Sequence, residues 1–364
     1  MVGLVRFQER TFVGVGRPPE TSRRALLKIS SPVEGCSASR RQLIGGGQQL
    51  RALVYHGSHD LTIEERSEPI PGEGELRVRV AATGLCGSDV HVIAVGALPQ
   101  RPSHVLGHEF GGTLDDGRFV VVNPMVGCGQ CAACRRGSTQ ICQKRRVIGY
   151  SVNGAFAEQI VVPRRNVVDA EGLTPLQAAL VEPLATALHA YNKAGRPTSD
   201  IALIGAGAIG MCLLHVLQDR GVRGVVAVDP VPARQAHALR AGVERAAARL
   251  EGQLFETIFD AAGTASTRRD ALASLARGGS AMLLGMHDDD MTFAATEFIK
   301  NDCSLIGCGA YTEAEFSEAI DLVRSLNPPW AEMVPLDEAP DAVKQILAGT
   351  APAHRTKTVF QIGC

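Results

Sequence analysis

From residue 200 onward, short apolar runs alternate with segments of helical spacing: "DIALIGAG", "AIGMCLLHVLQDRG", "GVVAVDP", "PARQAHALRAG", "FETIFDAAG", "RRDALASLARGG", "SAMLLGM". Strands that alternate with helices of this length fold as βαβ units around a parallel sheet. At the first strand-to-helix junction stand Gly205, Gly207 and Gly210, spaced G-x-G-x-x-G. In that context each glycine has a task. The first makes the tight turn, the second lets backbone approach a pyrophosphate, and the third lets helix and strand pack closely. The helix that opens there presents unpaired N–H groups and a positive dipole end to the phosphates. The next strand, residues 225–228, ends at Asp229. A carboxylate there accepts both ribose hydroxyls of NAD and repels the extra phosphate of NADP. Arg234, five residues on, is the opposing feature, because a nearby Arg helps to hold a 2′-phosphate. A glycine-rich turn with an incidental Asp is the bland alternative, and it leaves the order of strand, glycines, helix, strand and acid unexplained.

The first half reads differently. "RALVYH", "LTIEER", "ELRVRVAAT", "FVVVNP" and "AEQIVVP" alternate or run apolar at strand length, with turn clusters between them. This is an antiparallel, β-rich pattern, and "GGTLDDGRFVVV" predicts a close hairpin turning at Asp116-Gly117. A helix is expected from about residue 175 to Gly195. The mixed pattern returns near Tyr311 and closes on the strand "KTVFQI". The chain's 364 residues suggest two domains at ~150 residues each, plus a tail. That tail is residues 1–50, with seven Arg and one Lys against three Glu and poor hydrophobic period. It reads as a flexible extension, a dispensable leader or an over-extended start. Its Arg-rich composition also suits an organelle transit peptide, although Pro and Gly would break a targeting helix.

A net charge of -1 gives no electrostatic footprint for nucleic acid or an anionic membrane, and no apolar run reaches the ~18 residues of a membrane span. No secretion pattern opens the chain, so a reducing, cytoplasmic setting is expected for its ten cysteines.

Four of these, Cys128, Cys131, Cys134 and Cys142, fall within fifteen residues. Four thiolates so close can form a closed tetrahedral shell, which makes a structural zinc site. An iron–sulfur cluster is the rival, but the bacterial ferredoxin run has three residues before its fourth Cys and a Pro after it. Here seven intervene and Gln143 follows. Basic neighbours Arg135, Arg136, Lys144, Arg145 and Arg146 raise a zinc-ribbon nucleic-acid binder as a second class, against which the balanced charge and the βαβ half both argue.

A second constellation completes the pattern. "GLCGSDVH" holds Cys86, Ser88, Asp89 and His91; "VLGHEFGG" holds His108 and Glu109; "VEPLATALHA" holds Glu182. Together with the cysteine lobe and the glycine motif, in this order, these residues resemble the medium-chain zinc alcohol dehydrogenase family over about residues 51–364. The likeness is greatest to the polyol branch, with its sorbitol and threonine dehydrogenases. The resemblance implies a GroES-like catalytic domain, residues 51–180 and 311–364, interrupted by a Rossmann domain with a doubly wound parallel sheet, residues 181–310. It implies two zinc ions per chain, NAD, a small alcohol or polyol as substrate, and a homodimer or homotetramer. It makes Cys86 and His108 ligands of a catalytic zinc, with Glu109 or Glu182 as the third. Typical alcohol dehydrogenases have Cys where this chain has Glu182, as the polyol branch does not.

Charge counting says that both carboxylates together would weaken the Lewis acid, so the two are expected to exchange places or one to bind through water. By the same resemblance Ser88 is the first proton-relay hydroxyl, His91 the outer acceptor beyond a cofactor ribose hydroxyl, and Asp89 the carboxylate that orients His108. Thr186 and Ile209 match positions that touch the nicotinamide. His104, Tyr150 and Asn153 are candidates for the pocket wall. The short "TLDDGRF" departs from the longer loop usual in the family and leaves the hairpin to be tested.

Overall fold

The computed structural model describes residues 49–98 and 103–363. The expected extension, residues 1–50, lies outside these except for Gln49 and Leu50, which already belong to the strand Gln49–Gly57.

The β-rich half is built on two sheets. Gln49–Gly57 pairs antiparallel with Asp60–Ser67 and with the short strand His104–Val105. The larger, seven-stranded sheet centres on Glu75–Gly84, which pairs with Glu109–Leu114, Gln159–Pro163 and the closing strand Lys357–Gln361. The last pairing brings residues from the end of the chain against Ala82–Gly84, so the C-terminal segment returns to the half it left. The hairpin forms: Glu109–Leu114 runs antiparallel to Phe119–Val122, Gly117 takes φ +90°, and its N–H bonds Leu114 O at 3.0 Å. The shortened loop is thus long enough, because a glycine occupies the left-handed position the turn needs.

The other half is a six-stranded parallel sheet. Its order is Arg245–Ala247, Val226–Val228, Ile201–Ile204, Phe255–Asp260, Leu275–Leu283, Ser304–Gly307. Strand order reverses beside Ile201–Ile204, and ligands of such sheets bind at the carboxyl ends of the strands at that point.

Helix Pro175–Lys193 joins the halves. Thr174 caps it by accepting from Gln177 N at 3.2 Å, and Gln177 returns a bond to the Thr174 N–H. Residues 178–185 are all buried, so the helix carries no polar face there. It packs on Glu109–Leu114 and Glu75–Gly84 on one side and on helices Ala208–Asp219 and Glu313–Val323 on the other. At Gly111 a Cβ would sit 2.6 Å from Ala178 Cβ, which is why strand and helix meet on a glycine. The single carboxylate on this buried stretch is Glu182, one residue before the in-helix Pro183.

Candidate metal and cofactor cleft

The sulfurs of Cys128, Cys131, Cys134 and Cys142 all lie within 4.8 Å of one another, and all four cysteines are free thiols. The short helix Ala132–Arg135 turns Cys131 and Cys134 to the same side, with Cys131 Sγ accepting from Cys134 N at 3.4 Å. Backbone N–H groups of Gln130 and Cys131 pull Cys128 down to about 6, while burial pushes Cys134 up to about 11. Four converging sulfurs with no disulfide among them form a donor set that fits zinc. The basic neighbours Arg135 and Arg145 donate to Gln130 O and Gln140 O of their own lobe. Glu313 N bonds Gly137 O at 3.1 Å and its carboxylate takes the Thr139 hydroxyl, tying the lobe to helix Glu313–Val323.

Donor atoms of Cys86, His108 and Glu109 form a second group within 4.8 Å. Cys86 caps helix Gly87–Val95, and Asp89 Oδ2 accepts from Cys86 N at 3.0 Å, so one capping box fixes the cysteine and its neighbours. Ser88 Oγ donates to Cys86 Sγ at 3.1 Å. Asp89 is wholly buried, with Oδ1 3.4 Å from His108 Nδ1. That is a charge contact without hydrogen-bond alignment, since Nδ1 has no hydrogen-bond partner. Burial works against a charged imidazole, yet Asp89 and Cys86 outweigh it and hold His108 well above its ordinary pKa.

Glu109 is 1% exposed. Its Oε2 takes a hydrogen bond from Lys357 Nζ, which also donates to Leu85 O at 2.9 Å, and its Oε1 has no partner. Glu182 stands outside the converging three. Burial first, then the charge of Glu109, push it up to about 7 against the pull of His108. The Tyr311 hydroxyl is buried beside it, its pKa raised by burial and by the Glu182 charge. Of the two glutamates, the fold therefore brings Glu109 alone into the donor group.

This group opens on a cleft of about 610 Å³ whose walls include Cys86, Glu109, Gly207, Ile209, Arg234 and Lys357. Gly205 takes φ +92°, and a Cβ on Gly210 would lie 2.0 Å from Gly205 O, so neither position admits a side chain without displacing the turn. Asp229 is 3% exposed. Its Oδ2 accepts from Ala206 N at 3.0 Å and its Oδ1 from Val231 N at 2.9 Å, with Arg234 Nη1 3.6 Å away. Asp229 thus braces the glycine turn as well as standing at the strand end.

Thr186 is one turn beyond Glu182 on the same helix and half-buried. His91 is exposed on helix Gly87–Val95. His104 and Asn153 hold backbone instead of lining the cleft: His104 Nε2 bonds Gly149 O at 3.0 Å, and Asn153 Oδ1 accepts from Val105 N at 3.2 Å. Lys357 and Tyr311 are the residues that sequence reasoning missed. A lysine opening an apolar strand carries no local sign that it will be buried.

Residues 72–172 match the family model described as alcohol dehydrogenase GroES-like domain, and residues 208–325 that described as zinc-binding dehydrogenase. L-galactonate-5-dehydrogenase of Escherichia coli is 30% identical over 292 residues, 74% of this chain and 86% of that protein. D-altritol 5-dehydrogenase of Agrobacterium fabrum is 33% identical over 257 residues, 64% of this chain and 76% of that one. Among solved structures, an alcohol dehydrogenase from a Thermus species superposes with TM-score 0.78 at 26% identity, covering 86% of this chain and 100% of that one.

Proposed function

The chain belongs to the zinc-dependent alcohol dehydrogenase family, polyol branch, and on that premise we propose that it oxidises a secondary alcohol or polyol to the ketone, reversibly, with NAD, at a metal held by Cys86, His108 and Glu109. The observation that carries this reading is that one cleft holds both the Cys86/His108/Glu109 group and the glycine turn. The bound groups supply a Lewis acid for the substrate oxygen and an acceptor for hydride.

The chain's own residues do the rest. Asp89 holds His108 by its charge, 3.4 Å from Nδ1. Glu182, raised in pKa and held just outside the donor group, is placed to exchange with Glu109 or to act through water. Ser88 would take the substrate hydroxyl proton, and His91, which is exposed, would be the outer acceptor. Gly205, Gly207 and Gly210 would admit the pyrophosphate of a bound dinucleotide, and Thr186 and Ile209 would contact its nicotinamide. Asp229 at the strand end favours NAD over NADP, supported by its burial and by its hold on Ala206 N. The four-cysteine lobe holds a second, structural zinc, giving two per chain.

The names of the relatives, a sugar-acid and a sugar-alcohol dehydrogenase, favour a sugar-derived polyol or acid. A homodimer or homotetramer is supported by the edge strand Ser304–Gly307, which among the described residues pairs on one side only, and by the exposed Met286 and Ile299 nearby. Among the described residues no helix is long and apolar enough to cross a membrane. A cytoplasmic location is proposed with it, on the unpaired cysteines. A panel of sugar alcohols, sugar acids and simple secondary alcohols, each followed by NADH absorbance, tests the reading. Turnover of none of them in metal-replete protein sinks it.

A further inference from the structure

One hydroxyl stands between two of the groups just assigned. Tyr150 Oη lies 2.7 Å from Ser88 Oγ and 3.1 Å from Asp89 Oδ1. Its ring packs on the His108 ring, with centroids 5.1 Å apart and planes inclined at 41°. A phenol has one hydrogen, so Tyr150 serves Ser88 or Asp89 at any moment and not both. The shorter contact is to Ser88. Asp89 accepts from Cys86 N on Oδ2 and makes a charge contact to His108 Nδ1 with Oδ1.

A serine hydroxyl has one hydrogen and two acceptor lone pairs. With Tyr150 donating to Ser88 Oγ, one lone pair is filled. The other stays open for an incoming hydroxyl. Ser88's own hydrogen lies on Cys86 Sγ at 3.1 Å. We infer that Tyr150 is a positioning residue for Ser88: with Tyr150 donating to one lone pair and the Ser88 hydrogen on Cys86 Sγ, Oγ is held with its other lone pair open to accept a proton.

The inference rests on the alcohol oxidation proposed above, and the step balances. The substrate O–H bond breaks and a new O–H bond forms on Ser88. Ser88's former hydrogen would turn from Cys86 Sγ and leave by way of a hydroxyl of the bound cofactor to the outer acceptor His91. The substrate C–H electron pair would leave as hydride to NAD. Tyr150 neither gains nor loses a proton. Without its hydroxyl, Ser88 keeps only its bond to Cys86 Sγ and can turn that hydrogen toward the substrate oxygen, an arrangement that accepts no proton.

Tyr150→Phe keeps the ring on His108 and removes Oη. In metal-replete full-length protein, kcat for alcohol oxidation should fall roughly three- to tenfold, the scale of one lost hydrogen bond. The solvent deuterium isotope effect on kcat should rise, because proton transfer becomes the slower step. Zinc content and NADH binding, read by fluorescence, should match wild type. Wild-type kcat in the variant overturns the inference. So does a lowered kcat with an unchanged solvent isotope effect, or a loss of zinc, which would make Tyr150 a packing residue for His108. A wild-type protein that turns over no alcohol would instead overturn the functional reading, and the Tyr150 role with it.

Discussion

Lys357 and Glu109 form an ion pair inside the protein: the lysine is 3% exposed and the glutamate 1%, and they stand 248 residues apart in the chain. The closing strand delivers the lysine and the strand after His108 delivers the glutamate. Burial alone would push the lysine toward neutrality, but Glu109 and Cys86 keep it charged. One cation thus offsets the negative charge of the Glu109 carboxylate in the donor group.

Removing one partner of such a pair leaves a buried charge uncompensated, at about 3–5 kcal/mol. Lys357→Met should therefore lower unfolding stability on that scale, measured by urea denaturation. Lys357→Arg, which retains the charge, should lose less. Equal stability of wild type and Lys357→Met would show the pair to be energetically idle.

The two glutamates should separate by metal retention. Glu109 lies within the donor group and Glu182 outside it. Glu109→Gln should release one zinc far more readily to a chelator, by roughly 10–100-fold or more, the range for disturbing groups around a bound metal. Glu182→Gln should keep its zinc and lose turnover. Zinc analysis after graded chelator dialysis decides between them, and the reverse ranking would make Glu182 the ligand.

Asp229 has two tasks, so its replacement should have two effects. Asp229→Ala removes the acceptor for Ala206 N and Val231 N as well as the strand-end carboxylate. We expect kcat/KM to fall for both dinucleotides, and more for NAD than for NADP, narrowing the preference. A variant that simply switched to NADP at full rate would show that the bracing bonds do not matter. A wild type already preferring NADP would show that Arg234 outweighs Asp229.

Acid stability should report on Glu315, which bonds His189 Nδ1 at 2.8 Å and the Thr312 N–H at 2.8 Å between two packed helices. Burial would raise its pKa, but these partners and Asn192 bring it down to about 2 from 4.5. A depressed folded pKa means stability that is present above about 4.5 and is lost as pH falls through about 2. The contribution is at most about 3 kcal/mol. Glu315→Gln should be less stable than wild type at neutral pH, and the gap should close between pH 4.5 and 2. A gap that stays constant with pH would assign the loss to packing.

The four-cysteine cluster, the Cys86–Asp89 capping box and the glycine turn were legible because their spacing is local. Cys128 to Cys142 lie within one loop, Cys86 to Asp89 within one helical turn, and Gly205 to Asp229 within one strand–helix–strand unit. A backbone of fixed geometry leaves such residues few alternatives, so the residue types and their intervals already imply the chemistry.

Other parts were decided only by the tertiary structure. Periodicity tells which side chains are buried and is silent on what they meet. That Lys357 meets Glu109 follows from a parallel pairing with Ala331–Pro335 and an antiparallel one with Glu75–Gly84. That Tyr150 meets Ser88 follows from the turn after Val147, and that Glu109 enters the donor group while Glu182 does not follows from how helix Pro175–Lys193 lies on the sheet. The sequence determined which groups could do chemistry. Long-range strand pairing and helix packing, each set by many weak contacts summed over both halves, decided which of them come within reach of one another.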